Sequence, residues 1–253
     1  MTDPTRLPPY ESLAGMIDHA VLVPSLTPSD LEAGCRMARA YGCASACVMP
    51  YYVGRAAELL AGSKTLACCV IGFPHGNAPT AAKVAEASFA VDAGAKELDM
   101  VVNISLVKGA MWQAVQDDLA AVIGTGHDGG AKVKVIFETC YLTDDEKQRL
   151  CEVSAEAGAD WVKTSTGFGT PPAGQSAGAT DEDLQLMRKH SPESVQIKAS
   201  GGIRDLDRLL RVRELGCSRA GASATKAILD EARQSLGLDP IQVAANNDGG
   251  TSY

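Results

Sequence analysis

Ala157-Gly158-Ala159-Asp160-Trp161-Val162-Lys163 joins the glycine-marked end of a helical pattern to a short β-type run that ends on a lysine. The same arrangement recurs at Tyr41-Gly42-Cys43, Ala93-Gly94-Ala95 and Leu215-Gly216-Cys217, each a short lead into an apolar run. Glycine there suits a left-handed helix cap. The four glycines are 52, 64 and 58 residues apart, the length of two strand–helix units apiece. They therefore precede strands two, four, six and eight of one alternating series.

Working outward, strand-type runs lie near Met16–Leu22, Ser45–Met49, Thr65–Ile71, Glu97–Asn103, Lys132–Glu138, Asp160–Thr164, Val195–Ala199 and Arg219–Ala222. The intervening segments have helical patterns, several with start signals: Thr27-Pro28, a capping-box pair at Thr143 and Glu146, and Thr180 before Asp181 to Asp183. Strands that alternate with helices imply a parallel sheet with right-handed crossovers. Eight such units point to a (β/α)8, or TIM, barrel rather than a doubly wound sheet. The expected organisation is one α/β barrel domain over residues 1–243, with a short N-terminal extension. Residues 244–253 form a flexible C-terminal tail by composition.

Five residues beyond each marker glycine stand Cys47, Asp99, Lys163 and Gly221. A barrel interior is filled in layers contributed by alternate strands, so equal registers would bring these four side chains to one interior level. An acid and a lysine then share that level with a thiol and a glycine.

Lys163 alone is compatible with an edge or solvated face. Strand seven adds Gln196-Ile197-Lys198-Ala199-Ser200-Gly201-Gly202, with Lys198 on the neighbouring strand about 4.8 Å away. Two inward ammonium groups roughly 5 Å apart, at an effective dielectric near 20, repel by about 3 kcal/mol, or about two pKa units. One lysine is then expected to lose its proton near neutrality, and an unprotonated lysine is a nucleophile toward carbonyls. The loops Ser200-Gly201-Gly202-Ile203-Arg204 and Gly221-Ala222-Ser223-Ala224-Thr225 follow strands seven and eight, where barrels most often hold a phosphate on backbone N–H groups and a helix start.

The net charge of −8 and pI near 5.0 argue against nucleic acid or an anionic membrane surface as the partner. Met1 to Tyr10 has three prolines and no apolar run, so it does not read as a signal peptide, and no stretch approaches the roughly 20 apolar residues of a membrane span. With eight cysteines and no CxxC pair, reduced thiols in a cytoplasmic protein are the expectation.

Ile17-Asp18-His19, Val70-Ile71-Gly72-Phe73-Pro74, Leu98-Asp99-Met100-Val101-Val102-Asn103, Phe137-Glu138-Thr139, Val162-Lys163-Thr164-Ser165-Thr166-Gly167 and Ile197-Lys198-Ala199-Ser200-Gly201-Gly202-Ile203-Arg204 together resemble the 2-deoxyribose-5-phosphate aldolase family, in its order and over about residues 10 to 235. The resemblance implies a class I aldolase that needs neither cofactor nor metal. Such an enzyme cleaves 2-deoxy-D-ribose 5-phosphate reversibly to glyceraldehyde 3-phosphate and acetaldehyde. It implies Lys163 as the Schiff-base residue, Lys198 as the lysine that depresses its pKa, Asp99 as the proton relay and Asp18 as a supporting polar residue. Lys134 would lie inward near the lysine pair. Gly201, Gly202, Gly221 and Ser223 resemble the family's phosphate loops, with Gly167 and Gly169 as further candidates. The terminal Tyr253 resembles a tail residue that in some members enters the site and assists proton transfer. Small sugar phosphates and aldehydes are the implied partners, and a homodimer or homotetramer is the expected assembly.

Ala20 and Val23 stand where the family usually has a threonine and often a lysine. Met49 replaces an asparagine, Ala222 a common threonine, and Phe168 a lysine that helps hold phosphate in some members. Retained aldolase activity with some tolerance of non-phosphorylated aldehydes is the consequence expected. Cys47 reads as a core thiol, one that would react with aldehyde products if it faces the pocket. Other readings stay open. A metal-dependent aldolase would need ligands, and only His19 and His75 lie near strand ends, His127 and His190 falling at a loop and a helix end. A sugar-phosphate isomerase or another Schiff-base aldolase would share the loops. A non-catalytic regulatory barrel would form no covalent adduct.

Overall fold

The computed structural model describes residues 7–171, 173–174 and 176–243. Among them, eight strands form a closed parallel barrel in sequence order: β1 Ile17–Val21, β2 Ser45–Val48, β3 Leu66–Ile71, β4 Glu97–Val101, β5 Lys132–Ile136, β6 Trp161–Lys163, β7 Gln196–Ser200 and β8 Cys217–Ala222. The helices are α1 Tyr10–Ala14, α2 Pro28–Tyr41, α3 Val53–Leu60, α4 Thr80–Asp92, α5 Ile104–Lys108, α6 Trp112–Asp128, α7 Asp144–Glu156, α8 Asp181–His190, α9 Leu206–Glu214 and α10 Thr225–Ser235. The last strand starts at Cys217, two residues before the sequence pattern placed it.

The marker glycines terminate helices as their spacing implied. Gly42, Gly94, Gly158 and Gly216 have φ of 72°, 107°, 88° and 89°, a region a side chain rarely adopts. After the first three, the N–H groups of Cys43, Ala95 and Ala159 donate to the carbonyls of Ala38, Ala90 and Ser154 at 2.9, 2.9 and 3.0 Å, which closes each helix and sends the chain into its strand. Helix starts follow the same logic. Thr143 and Glu146 form a reciprocal capping box, Thr27 forms one with Asp30, and Thr180 accepts from the Asp183 N–H.

The strand registers place the interior residues in layers. Cys47 pairs with Cys68 and Cys68 with Glu97, so Asp99 lies two residues further on after two strands. The same advance leads from Asp99 to Lys163 through Lys134 and Trp161, and from Lys163 to Gly221 through Lys198 and Arg219. It returns from Gly221 to Cys47 through Asp18 and Ser45. Cys47, Asp99, Lys163 and Gly221 thus close one ring, the layer that the glycine spacing predicted. Asp18, Cys68, Lys134 and Lys198 form the ring beneath it, and Ser45, Glu97, Trp161 and Arg219 the ring beneath that. The alternate strand residues, such as Ile17, Val48, Leu98, Val135 and Ile197, face the helices within one continuous apolar core. Leu22, Cys47, Cys68 and Val70 make a separate apolar cluster inside the barrel, beside the charged rings.

Candidate active site

A barrel interior filled with charge is costly unless every charge is paired. Asp99, fully buried, accepts from the Lys163 and Lys198 ammonium groups on Oδ2 at 2.7 and 2.8 Å, and from Lys134 on Oδ1 at 2.9 Å. The Cys68 thiol also donates to Oδ1, at 3.2 Å. Asp18 accepts from Lys198, from Ser45 at 2.8 Å and from Arg219 at 2.6 Å. Glu97 accepts from Lys134 at 2.6 Å and from both Arg219 terminal nitrogens at 3.0 and 2.7 Å. Arg219, Lys134 and Lys132 also lie 5.2, 5.7 and 5.3 Å from the Trp161 ring centroid, so the aromatic floor carries positive charge on its π face.

Electrostatics follow from this packing. Burial alone would raise the Asp99 pKa, but Lys134, Lys163 and Lys198 outweigh it and hold the carboxyl well below its usual range. Asp18 behaves likewise under Lys134, Lys198 and Arg219. Burial would lower Lys198 and Lys134, yet the Asp18 and Asp99 carboxylates hold both above the ordinary lysine value. Repulsion between Lys163 and Lys198, reckoned from the sequence for two isolated ammonium groups, is therefore offset by the carboxylate they share. In the cluster, Lys134, Lys163, Lys198 and Arg219 are cations and Asp18, Glu97 and Asp99 anions, four charges against three.

Above the lysine pair opens a cavity of about 300 Å³. Asp18, Lys163 and Lys198 are at its base with Ala20, Leu22 and Cys47. Thr166, Gly167 and Phe168 form one wall, and Gly201, Gly202, Arg204, Gly221 and Ser223 the other. Asp99 is not in the lining: it lies under the two ammonium groups. Gly169 is also outside the lining, and a Cβ there would come within 2.9 Å of Cys140 Sγ and 3.1 Å of Glu138 Oε1. Cys47 is buried and also lines the cavity. Its thiol is pushed below its ordinary pKa by a hydrogen bond with Cys68, then against burial by Lys198 and Lys163. Tyr253 lies outside the described residues.

His19 points away from this site, its Nδ1 2.8 Å from Thr225 Oγ1 on α10. Among the described residues, one trio of potential metal ligands, Cys47, Cys68 and Asp99, lies within 4.8 Å. Both Asp99 oxygens already take ammonium donors, so a cation there would have to compete with three lysines. Glu97 and Arg219 were missed in the sequence reading. Both stand three residues beyond a marker glycine, so the count that found Asp99 and Lys163 also reaches them.

Residues 13–231 match the family model described as DeoC/LacD family aldolase. A deoxyribose-phosphate aldolase of Rhodopirellula baltica is 51% identical over 95% of this chain and 98% of its own length. One of Carboxydothermus hydrogenoformans is 45% identical over 86% of this chain and 93% of its own. The tetrameric deoxyribose phosphate aldolase structure from Aeropyrum pernix superposes with a TM-score of 0.81 at 34% identity, covering 92% of this chain and 95% of that one. The barrel, the paired lysines and these matches agree: this chain belongs to the DeoC/LacD family of aldolases.

Proposed function

We propose that this aldolase cleaves 2-deoxy-D-ribose 5-phosphate reversibly to D-glyceraldehyde 3-phosphate and acetaldehyde through an imine on Lys163, in cytoplasmic deoxyribonucleotide breakdown. The observation that carries the reading is Asp99 Oδ2, shared by Lys163 and Lys198 beneath an open cavity. Among the described residues, Lys163 has a single carboxylate partner, whereas Lys198 has two and Lys134 three. Removing a proton from Lys163 therefore breaks the fewest ion pairs, and it brings the cluster from one excess positive charge to neutrality.

The free amine attacks the substrate carbonyl carbon, and the carbonyl oxygen takes up a proton to give a carbinolamine. Loss of water from it leaves the protonated imine. The C3 hydroxyl then gives up its proton to water in the open cavity as the C2–C3 bond breaks. The bonding pair moves into the imine to form an enamine, and glyceraldehyde 3-phosphate leaves. Protonation of the enamine carbon and hydrolysis of the resulting imine release acetaldehyde and restore Lys163. Asp99, in contact with both ammonium groups, passes protons between them, and Lys198, which its two carboxylates return to the charged form, favours developing negative charge. Asp18 holds Lys198 in place. The phosphate fits the wall of Gly201, Gly202, Gly221 and Ser223, with Gly167 opposite. Arg204 and the start of α10, which has no side-chain cap, add positive potential there.

A homodimer or homotetramer is the proposed assembly. The test of the reaction is turnover of 2-deoxyribose 5-phosphate by chelator-treated protein, with both aldehydes identified as products. Lys163→Arg keeps the charge but cannot form an imine; it is expected to fold and to be inactive. Turnover by that variant would overturn the reading.

A further inference from the structure

Glu138 lies two residues beyond the end of β5, is buried at 2% exposure and has φ 56°, a left-handed conformation for a side chain that rarely adopts it. Its place in the ladder accounts for the strain. The Phe137 N–H donates to the Lys163 carbonyl at 2.9 Å and the Thr139 N–H to the Thr164 carbonyl at 3.0 Å. A regular parallel ladder advances both strands by two residues between such bonds, whereas here the β6 side advances by one. Glu138 is thus the extra residue of a bulge just beyond Lys163, and the bulge turns its side chain toward the loop after β6.

Both Glu138 oxygens accept from the Thr166 N–H, at 3.3 and 3.2 Å, and Oε2 also accepts the Thr166 hydroxyl. Thr166 Oγ1 in turn accepts from the Phe168 N–H at 2.9 Å. Thr166, Gly167 and Phe168 are cavity wall. Among the described residues, Lys163 from β6, His75 from the loop after β3 and Cys140 from the turn after β5 are the titratable groups that face the carboxyl.

From this geometry we infer that Glu138 is a positioning residue: its ionised carboxylate clasps the loop after β6 and so builds the wall that receives the phosphorylated part of the substrate. The inference rests on the aldolase reading of the same site. Burial raises the Glu138 pKa above the ordinary carboxylate value, against the hydrogen bonds from Thr166. As pH falls, the carboxyl therefore protonates early, bringing a proton toward a Thr166 that already donates twice. The clasp loosens, and the substrate KM rises at the acid end.

The test compares wild type with Glu138→Gln, Thr166→Val and Thr166→Ser. In Glu138→Gln, the KM for 2-deoxyribose 5-phosphate is expected to rise roughly tenfold, the scale of a lost buried charged acceptor. The kcat should change less, and borohydride trapping of acetaldehyde on Lys163 should keep its wild-type rate. The acid-end rise in KM should disappear, because glutamine does not titrate. Thr166→Val should reproduce the higher KM, and it carries the test if Glu138→Gln does not fold; Thr166→Ser, which keeps the hydroxyl, should restore the wild-type value. Wild-type KM in both Glu138→Gln and Thr166→Val would overturn the inference. So would slowed trapping at unchanged KM, which would put Glu138 on the nucleophile instead. Failure of trapping in the wild type would sink the aldolase reading itself.

Discussion

Asp99→Asn removes the carboxylate that touches Lys134, Lys163 and Lys198 together and leaves an uncharged side chain of the same shape. Its ammonium contacts are 2.7, 2.8 and 2.9 Å, each worth about 6 kcal/mol at an effective dielectric near 20. The fully ionised cluster would go from four charges against three to four against two. Release of one ammonium proton returns the excess to a single positive charge, as in the native cluster, so the expected loss of stability is the roughly 3–5 kcal/mol of a broken buried pair. Catalysis should suffer more. With no carboxylate between Lys163 and Lys198 to carry protons, kcat is expected to fall by roughly 10²–10⁴. The KM should move little, because Asp99 does not line the cavity. Steady-state cleavage of 2-deoxyribose 5-phosphate and urea denaturation measure the two effects. A variant with wild-type kcat would refute the relay, and one with wild-type stability would refute the charge pairing.

Acid should destabilise the protein in two stages. Burial pushes His19 down to about 4, so this base favours the folded state fully above its unfolded value near 6.5; as pH falls from there toward about 4, up to about 3 kcal/mol is lost. His19→Gln should flatten the urea midpoint across that interval, and an unchanged slope would contradict the assignment. Asp18 and Asp99 are depressed, so their contribution holds above about 3.9 and is lost below it. Lys134 and Lys198 are raised, so theirs holds below about 10.4 and is lost as pH rises further. Gly34→Ala on α2 would place a methyl 2.7 Å from Val21 Cγ2 and 3.5 Å from His19 Nε2. Despite better helix propensity, it should cost roughly 1–3 kcal/mol, read as a lower thermal midpoint.

The barrel was legible because its helix ends are marked by glycines, whose φ the structure confirms, and because parallel register converts a count from each glycine into a level of the interior. Counting five residues reached Asp99 and Lys163. Counting three would have reached Glu97 and Arg219, which single strand by single strand look like a polar edge. Glu138 was not legible as a clasp, because its aim depends on a bulge and on a backbone conformation that glutamate does not advertise. Gly169 read as a loop glycine open to phosphate, whereas Cys140 and Glu138 crowd it from one side. The apolar half of the interior, Leu22, Cys47, Cys68 and Val70, was hidden among residues that periodicity assigns equally to either face of a strand.

In the proposed reaction Lys163 forms the covalent bond while Lys198, a register partner held by two carboxylates, does not. Borohydride reduction in the presence of acetaldehyde, followed by peptide mass mapping, tests it directly. An ethyl adduct confined to the peptide that carries Lys163 is expected, and an adduct on Lys198 or on neither lysine would rule out imine formation at Lys163.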